Sequence, residues 1–86
     1  MIKVLVVDDE PPIKEWLENI ILSSGPEYEI VKGQASNGME ALKICEIEMP
    51  DIVFTDIMMP VMDGVRLVKE LKLRSEDVKI IVLSNY

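Results

Sequence analysis

Four short apolar runs punctuate the chain, and between them lie stretches whose apolar residues recur at helical spacing. The first run, Ile2 to Val7, carries Val4-Leu-Val-Val, a continuous β-branched stretch that fits a strand buried on both faces. Pro11 and Pro12 then suit the first turn of a helix, with Asp9 or Glu10 as its cap. That helix runs to about Ser24, where Gly25-Pro26 stops it. Ile13, Trp16, Leu17, Ile20 and Ile21 form its apolar stripe; Trp16 is expected to anchor it in the core, or to be half exposed where no further helix covers that face. Tyr28 to Ala35 reads as a weaker strand centred on Ile30 and Val31. Ser36-Asn37-Gly38 is a turn in which Asn37 can cap a second helix, Met39 to Glu48, with Ala41, Leu42 and Cys45 inward. Pro50 ends that helix. Ile52-Val-Phe is the third strand, closed by Asp56. After a loop through Pro60 and Asp63-Gly64 comes a third helix, Val65 to Leu73, with Leu67, Val68 and Leu71 inward. Lys79-Ile-Ile-Val-Leu is the fourth strand.

Strand and helix alternate throughout, which argues an α/β fold with a parallel sheet and right-handed crossovers. Ligands on such sheets sit outside the carboxyl ends of the strands. Here those ends are polar: Asp8, Asp9 and Glu10 follow the first strand, Asp56 the third, and Ser84 the fourth. All lie on one edge of the sheet.

Composition narrows the picture. With 86 residues, the chain is expected to be one domain, residues 1–86, with a thin core. A net charge of −7 disfavours nucleic acid as a direct partner and suits a cation or a basic surface. The single cysteine, Cys45, excludes an internal disulfide and suits a reducing compartment; it reads as a small core residue. The N-terminal apolar run is too short for a signal peptide, and no run reaches membrane-spanning length. A cytoplasmic location is therefore expected.

The acidic residues carry the chemistry. If the first and third strands are neighbours, their terminal carboxylates converge, and a pair about 4 Å apart repels by roughly 4 kcal/mol at an effective dielectric near 20. Such a pair takes up a proton or holds a cation, and an all-oxygen site suits Mg²⁺. The plainer reading makes Asp9 a helix cap and Asp8 a solvated carboxylate. It leaves unexplained why a further Asp follows a second buried strand. Met58, Met59 and Met62 read as loop packing.

Three segments together resemble the receiver domains of two-component response regulators: Val4-Leu-Val-Val-Asp-Asp-Glu-Pro, the stretch from Pro50 through Asp56 and Pro60 to Gly64, and Lys79-Ile-Ile-Val-Leu-Ser. Ala35-Ser-Asn-Gly and Leu83-Ser-Asn-Tyr look more like regulators that carry an AraC-type DNA-binding domain. The resemblance implies a flavodoxin-like open parallel sheet of order 2-1-3-4. It also implies Mg²⁺-dependent transfer of a phosphoryl group from a sensor histidine kinase to Asp56, with transcription controlled through an output domain. Asp9 matches a direct Mg²⁺ ligand, Asp8 its water-mediated neighbour, and the carbonyl of Met58 the backbone ligand. Ser84 matches the hydroxyl that senses the phosphoryl group, and Pro60 and Gly64 shape the loop. No enzyme activity beyond self-catalysed acceptance and hydrolysis is implied. An aspartate-nucleophile phosphatase would need a second acid where Met58 stands, and a flavin-binding relative would need a phosphate-cradling loop where the acidic triplet stands.

Compared with the family, the sequence stops before a last helix, strand and helix, and so before a lysine expected in the site; Lys79 starts its strand at the far end. The chain therefore reads as a truncated receiver. Its third and fourth strands are expected to expose apolar residues on one face, and the fourth to be an unprotected edge. Self-association through that face or edge follows as an expectation. A competing functional reading is a self-associating fragment that no longer signals.

Overall fold

The computed structural model describes residues 1–33, 35–59 and 61–83. The elements run β1 (Ile2–Val7), α1 (Pro11–Ser23), β2 (Tyr28–Ile30), α2 (Gly38–Ile47), β3 (Ile52–Asp56), α3 (Gly64–Arg74) and β4 (Lys79–Leu83). The strands form one parallel sheet of order β2-β1-β3-β4. This is the order that the family resemblance implies.

Period-two alternation along the central strands sorts side chains onto two faces. Leu5, Val7 and Val53 point to the side covered by α2 and α3, where they join Ala41, Leu42, Cys45, Leu67, Leu71 and Val78 in the main core. Val4 and Val6 point the other way and meet Ile21 of α1, with Ile52 and Phe54 packed only in part. The core is therefore unequal. On the second face a trough of about 260 Å³ opens between α1 and β4, lined by Val4, Ile21, Tyr28, Ile52, Phe54 and Ile81 among others. The exposed apolar face expected on the third and fourth strands is present among the described residues.

Three local expectations are corrected. Neither Asp9 nor Glu10 caps α1 through its side chain: Glu10 occupies the cap position without a side-chain bond. Pro11 and Pro12 have no N–H to satisfy, and the Glu10 carbonyl accepts from the amides of Ile13 and Lys14, both at 3.1 Å. The second strand ends at Ile30 rather than Ala35. The Val31 amide still reaches the Val4 carbonyl at 2.8 Å, but Gly33 then takes φ 142° and the chain leaves the sheet. Trp16 does not anchor α1; it is 61% exposed, and Ile21 is the buried residue of the helix. Cys45 is buried as expected.

These placements give two tests. Leu71→Ala removes a fully buried side chain and is expected to cost about 2–5 kcal/mol in urea unfolding, whereas Trp16→Ala should cost less than about 1 kcal/mol. Burial pushes the Cys45 thiol up to about 11, so at pH 8 about one molecule in a thousand carries the reactive thiolate. Iodoacetamide should therefore label the native chain far more slowly than the urea-unfolded chain, as read by mass spectrometry.

Candidate functional site

The sheet register builds the site. Val7 of β1 lies opposite Thr55 of β3, so the next residues along, Asp8 and Asp56, leave the sheet side by side. Asp56 in turn lies opposite Leu83 of β4. Carboxylate oxygens of Asp8, Asp9 and Asp56 lie within 4.8 Å of one another, with Asp8 and Asp56 buried and Asp9 exposed. The cluster is close to the separation at which the repulsion reckoned from the sequence applies.

Local bonds fix this arrangement. The Glu10 amide donates to Asp8 Oδ1 at 2.8 Å, and the Asp8 amide donates to the Ala35 carbonyl at 3.0 Å. The Met58 amide points to Asp56 Oδ1 at 3.4 Å. Burial raises the Asp8 carboxyl above the usual carboxylate range; the Glu10 amide opposes this, and the charges of Asp56 and Asp9 add to it. A cation among these oxygens would reverse that penalty. The donor set is entirely hard oxygen, which fits Mg²⁺ better than a soft transition metal.

The loop from β3 to α3 supplies the wall. Met59 and Met62 are buried, but Met58 is 72% exposed, so the reading of all three as loop packing is corrected for Met58. Its main chain follows Asp56 while its side chain turns outward, to the rim of a cavity of about 340 Å³ that Asp9, Ile57, Met59 and Asp63 also line. The Gly64 amide donates to the Ile57 carbonyl at 2.8 Å. A Cβ on Gly64 would stand 2.1 Å from the Asp56 carbonyl oxygen, so the loop closes this tightly only with glycine there. Asp63 caps α3 by accepting from the Arg66 amide at 2.9 Å, and Asn37 caps α2 in the same way from Glu40 at 3.0 Å. Val61 holds φ 68°, a left-handed backbone that a β-branched residue rarely adopts. Ser84 and Pro60, both read as site residues from the sequence, lie outside the described residues. Lys79 begins β4 opposite Ile52, at the far end from Asp56, as expected.

Sequence reasoning passed over one residue. Lys14 reaches across from α1, donating to the Gly33 carbonyl at 3.0 Å, and with Asp8, Glu15, Glu18 and Ser36 it lines a second cavity of about 200 Å³. Its position one turn beyond the acidic triplet was the available signal.

A parallel sheet of order β2-β1-β3-β4 with three carboxylates gathered at its carboxyl edge defines an α/β domain whose strand ends could hold a cation. Residues 4–86 match the response regulator receiver domain, and the chain belongs to that family. It is 36% identical over 84 residues to sporulation initiation phosphotransferase F of Bacillus subtilis, covering 98% of this chain and 64% of that protein. Among solved structures it is similar to response regulator protein TrrA from Thermotoga maritima in complex with Mg²⁺ and BeF, at 42% identity and TM-score 0.88, covering 100% of this chain and 71% of that one. It is also similar to a two component transcriptional regulator AraC from Clostridium phytofermentans, at 31% identity and TM-score 0.87, covering 100% of this chain and 68% of that one. The chain spans less than two-thirds of the curated relatives it matches, 30% and 39% for two transcriptional regulators. No helix among the described residues is long and apolar enough to cross a membrane.

Two substitutions test the loop. Gly64→Ala forces the Asp56 carbonyl or the helix start to move and is expected to cost about 1–3 kcal/mol in urea unfolding, with weaker Mg²⁺ binding by calorimetry. Val61→Gly relieves the left-handed backbone at an exposed position and should gain up to about 1 kcal/mol after the entropy cost of glycine.

Proposed function

We propose that the chain is the phosphoryl-accepting module of a two-component system, with Asp56 as the acceptor. The convergence of the Asp8, Asp9 and Asp56 carboxylates at the end of adjacent strands carries this reading. An Asp56 oxygen attacks phosphorus, the P–N bond of a phosphohistidine breaks, and the imidazole keeps the electron pair and takes a proton. The chain contains no histidine, so the phosphohistidine lies outside these 86 residues. A sensor histidine kinase is the proposed donor, and a crystal structure of histidine kinase ThkA in complex with TrrA, to which this chain is 42% identical, supports it.

Asp9 and Asp56 with the Met58 carbonyl would hold Mg²⁺ directly, and Asp8 through water. When bound, Mg²⁺ supplies charge neutralisation and orientation for the transferring group. The chain's own contribution is positional. The β1–β3 register sets the carboxylates, the Met58 amide steadies one Asp56 oxygen, and Gly64 keeps the loop tight behind the acceptor. The product adds up to about one negative charge at a site already rich in carboxylates. Ser84 is the proposed hydroxyl that bonds the new oxygens and turns a local event into a wider one. Control of transcription through an output domain, and a cytoplasmic setting, complete the proposal, and the transcriptional regulators among the relatives support them. No separate substrate is turned over.

Acetyl phosphate with Mg²⁺ should add one phosphoryl group, located by mass spectrometry on the peptide containing Asp56. Asp56→Asn should abolish the addition, Asp9→Asn should weaken Mg²⁺ binding and slow it, and a chelator should stop it. A phosphoryl group found on another residue, or none in the wild-type chain, would overturn the assignment.

A further inference from the structure

A lysine stands on the inward stripe of α1. Lys14 precedes Ile21, the buried residue of α1, by seven positions, and residues two helical turns apart share a face. Its side chain is only 19% exposed. A lysine buries its stem readily, but its ammonium then needs an acceptor. Glu18, one turn on, is 3.9 Å away, and such i,i+4 pairs contribute little. The closer partner is the Gly33 carbonyl, at 3.0 Å. That carbonyl belongs to the chain leaving β2, which is tied to β1 both before and after Gly33. The Val31 amide donates to the Val4 carbonyl at 2.8 Å, and the Asp8 amide donates to the Ala35 carbonyl at 3.0 Å. Gly33 itself has φ 142°, and a Cβ on it would stand 2.7 Å from Cδ1 of Ile44 in α2. Gly33 is thus gripped by α2 on one side and by Lys14 of α1 on the other.

We propose that Lys14 is a positioning residue for the acidic cluster. By holding Gly33 it keeps the Ala35 carbonyl on the Asp8 amide, and so sets where the Asp8 carboxylate stands for a cation shared with Asp9 and Asp56. The β1–β3 pairing ends at Val7 and Thr55, so beyond it the Asp8 main chain is steered from the β2 side. Close packing does not supply that steering. Asp8, Lys14 and Ser36 line one cavity of about 200 Å³, which leaves this flank of Asp8 without tight neighbours. The action is indirect: Lys14 grips Gly33, and Ala35, two residues on, grips Asp8. Residues that orient a metal ligand without touching the metal commonly govern its affinity. This role rests on the cluster being a Mg²⁺ site.

Amide hydrogen exchange followed by NMR, on the full chain without Mg²⁺, reads the link directly. Lys14→Met keeps the apolar stem and removes the donors. Exchange of the Asp8 amide should quicken several-fold, while that of Leu5, within β1, changes no more than global stability requires. Calorimetry should show Mg²⁺ bound about three- to tenfold more weakly, less than for loss of a direct ligand partner because Lys14 acts one step further out. Lys14→Arg should restore both readouts, since a guanidinium can still donate to a carbonyl. Lys72→Met removes another lysine–carbonyl bond, 2.6 Å to Val78 and away from the cluster, and should leave both at wild type. Circular dichroism checks that each variant is folded. Unchanged Asp8 exchange in Lys14→Met, unchanged Mg²⁺ affinity, or an affinity that Lys72→Met lowers equally, would overturn the role of Lys14. A wild-type chain that binds no Mg²⁺ would overturn the cation reading instead, and exchange at Asp8 would still decide whether Lys14 holds the end of β1.

Discussion

Everything at the candidate site depends on one constraint, the parallel register between β1 and β3. Val4 to Val7 lie opposite Ile52 to Thr55, and all of Val4, Leu5, Val6, Val7, Val53 and Thr55 are buried. Because side chains alternate along a strand, a slip by one residue would carry Leu5 and Val7 away from the α2–α3 core and bring Val4 and Val6 into it. Packing therefore pins the register, and the pinned register forces Asp8 beside Asp56. The carboxylates are not held together by attraction; they are pushed together by the hydrophobic fit of the residues before them. This is how an arrangement that raises the Asp8 carboxyl above its usual range can persist.

The loop behind Asp56 repeats that logic with the backbone. Its turn brings the Gly38 amide to the Met62 carbonyl at 3.0 Å and the Gly64 amide to the Ile57 carbonyl at 2.8 Å. Both glycines sit where a Cβ would strike a neighbour: the Met62 side chain in one case, the Asp56 carbonyl in the other. Val61 takes the left-handed conformation between them, while Met59 and Met62 are buried on either side. Two buried thioether side chains offset one strained residue. Asp56 thus stands before a segment tied to α2 and to the start of α3, rather than before a free loop.

Most of this architecture was legible in the residues because several signals agreed. The bounds of β1, β3 and β4 followed from continuous β-branched runs, and Asn37 from its position before a helical pattern. What misled were places where one strong local signal stood alone. Trp16 reads as a core anchor by size and spacing, but spacing fixes only a stripe along α1, and the sheet beneath accepts the Ile21 side of that stripe. Asp9 and Glu10 read as caps by residue type, but Pro11 and Pro12 carry no N–H and the Ile13 amide donates to the Glu10 carbonyl instead. Tyr28 to Ala35 reads as a strand by composition, yet Gly33 at positive φ turns the chain toward Asp8. Lys14 went unnoticed because its role depends on a contact across the fold, to Gly33, that no local pattern encodes. The convergence of Asp8, Asp9 and Asp56 was legible only because strand ends in a parallel sheet share an edge, which is a property of topology rather than of neighbouring residues.

The unequal faces of the sheet bear on how site and stability are linked. The α2–α3 side holds the larger cluster, while the α1 side buries Val4, Val6 and Ile21 beside an open trough. A chain of 86 residues buries only about 60% of its unfolded surface and has little stability in reserve. Against that thin margin stand three clustered carboxylates, two of them buried, whose mutual repulsion is of the same order as one good core side chain. Any ligand that binds the native cluster and not the unfolded chain stabilises the fold by mass action. A cation at the carboxyl edge would therefore act first on the fold, by relieving a charge penalty that the β1–β3 register imposes, and only then on chemistry. The same packing that makes the acidic cluster unavoidable makes the stability of the domain responsive to what occupies it.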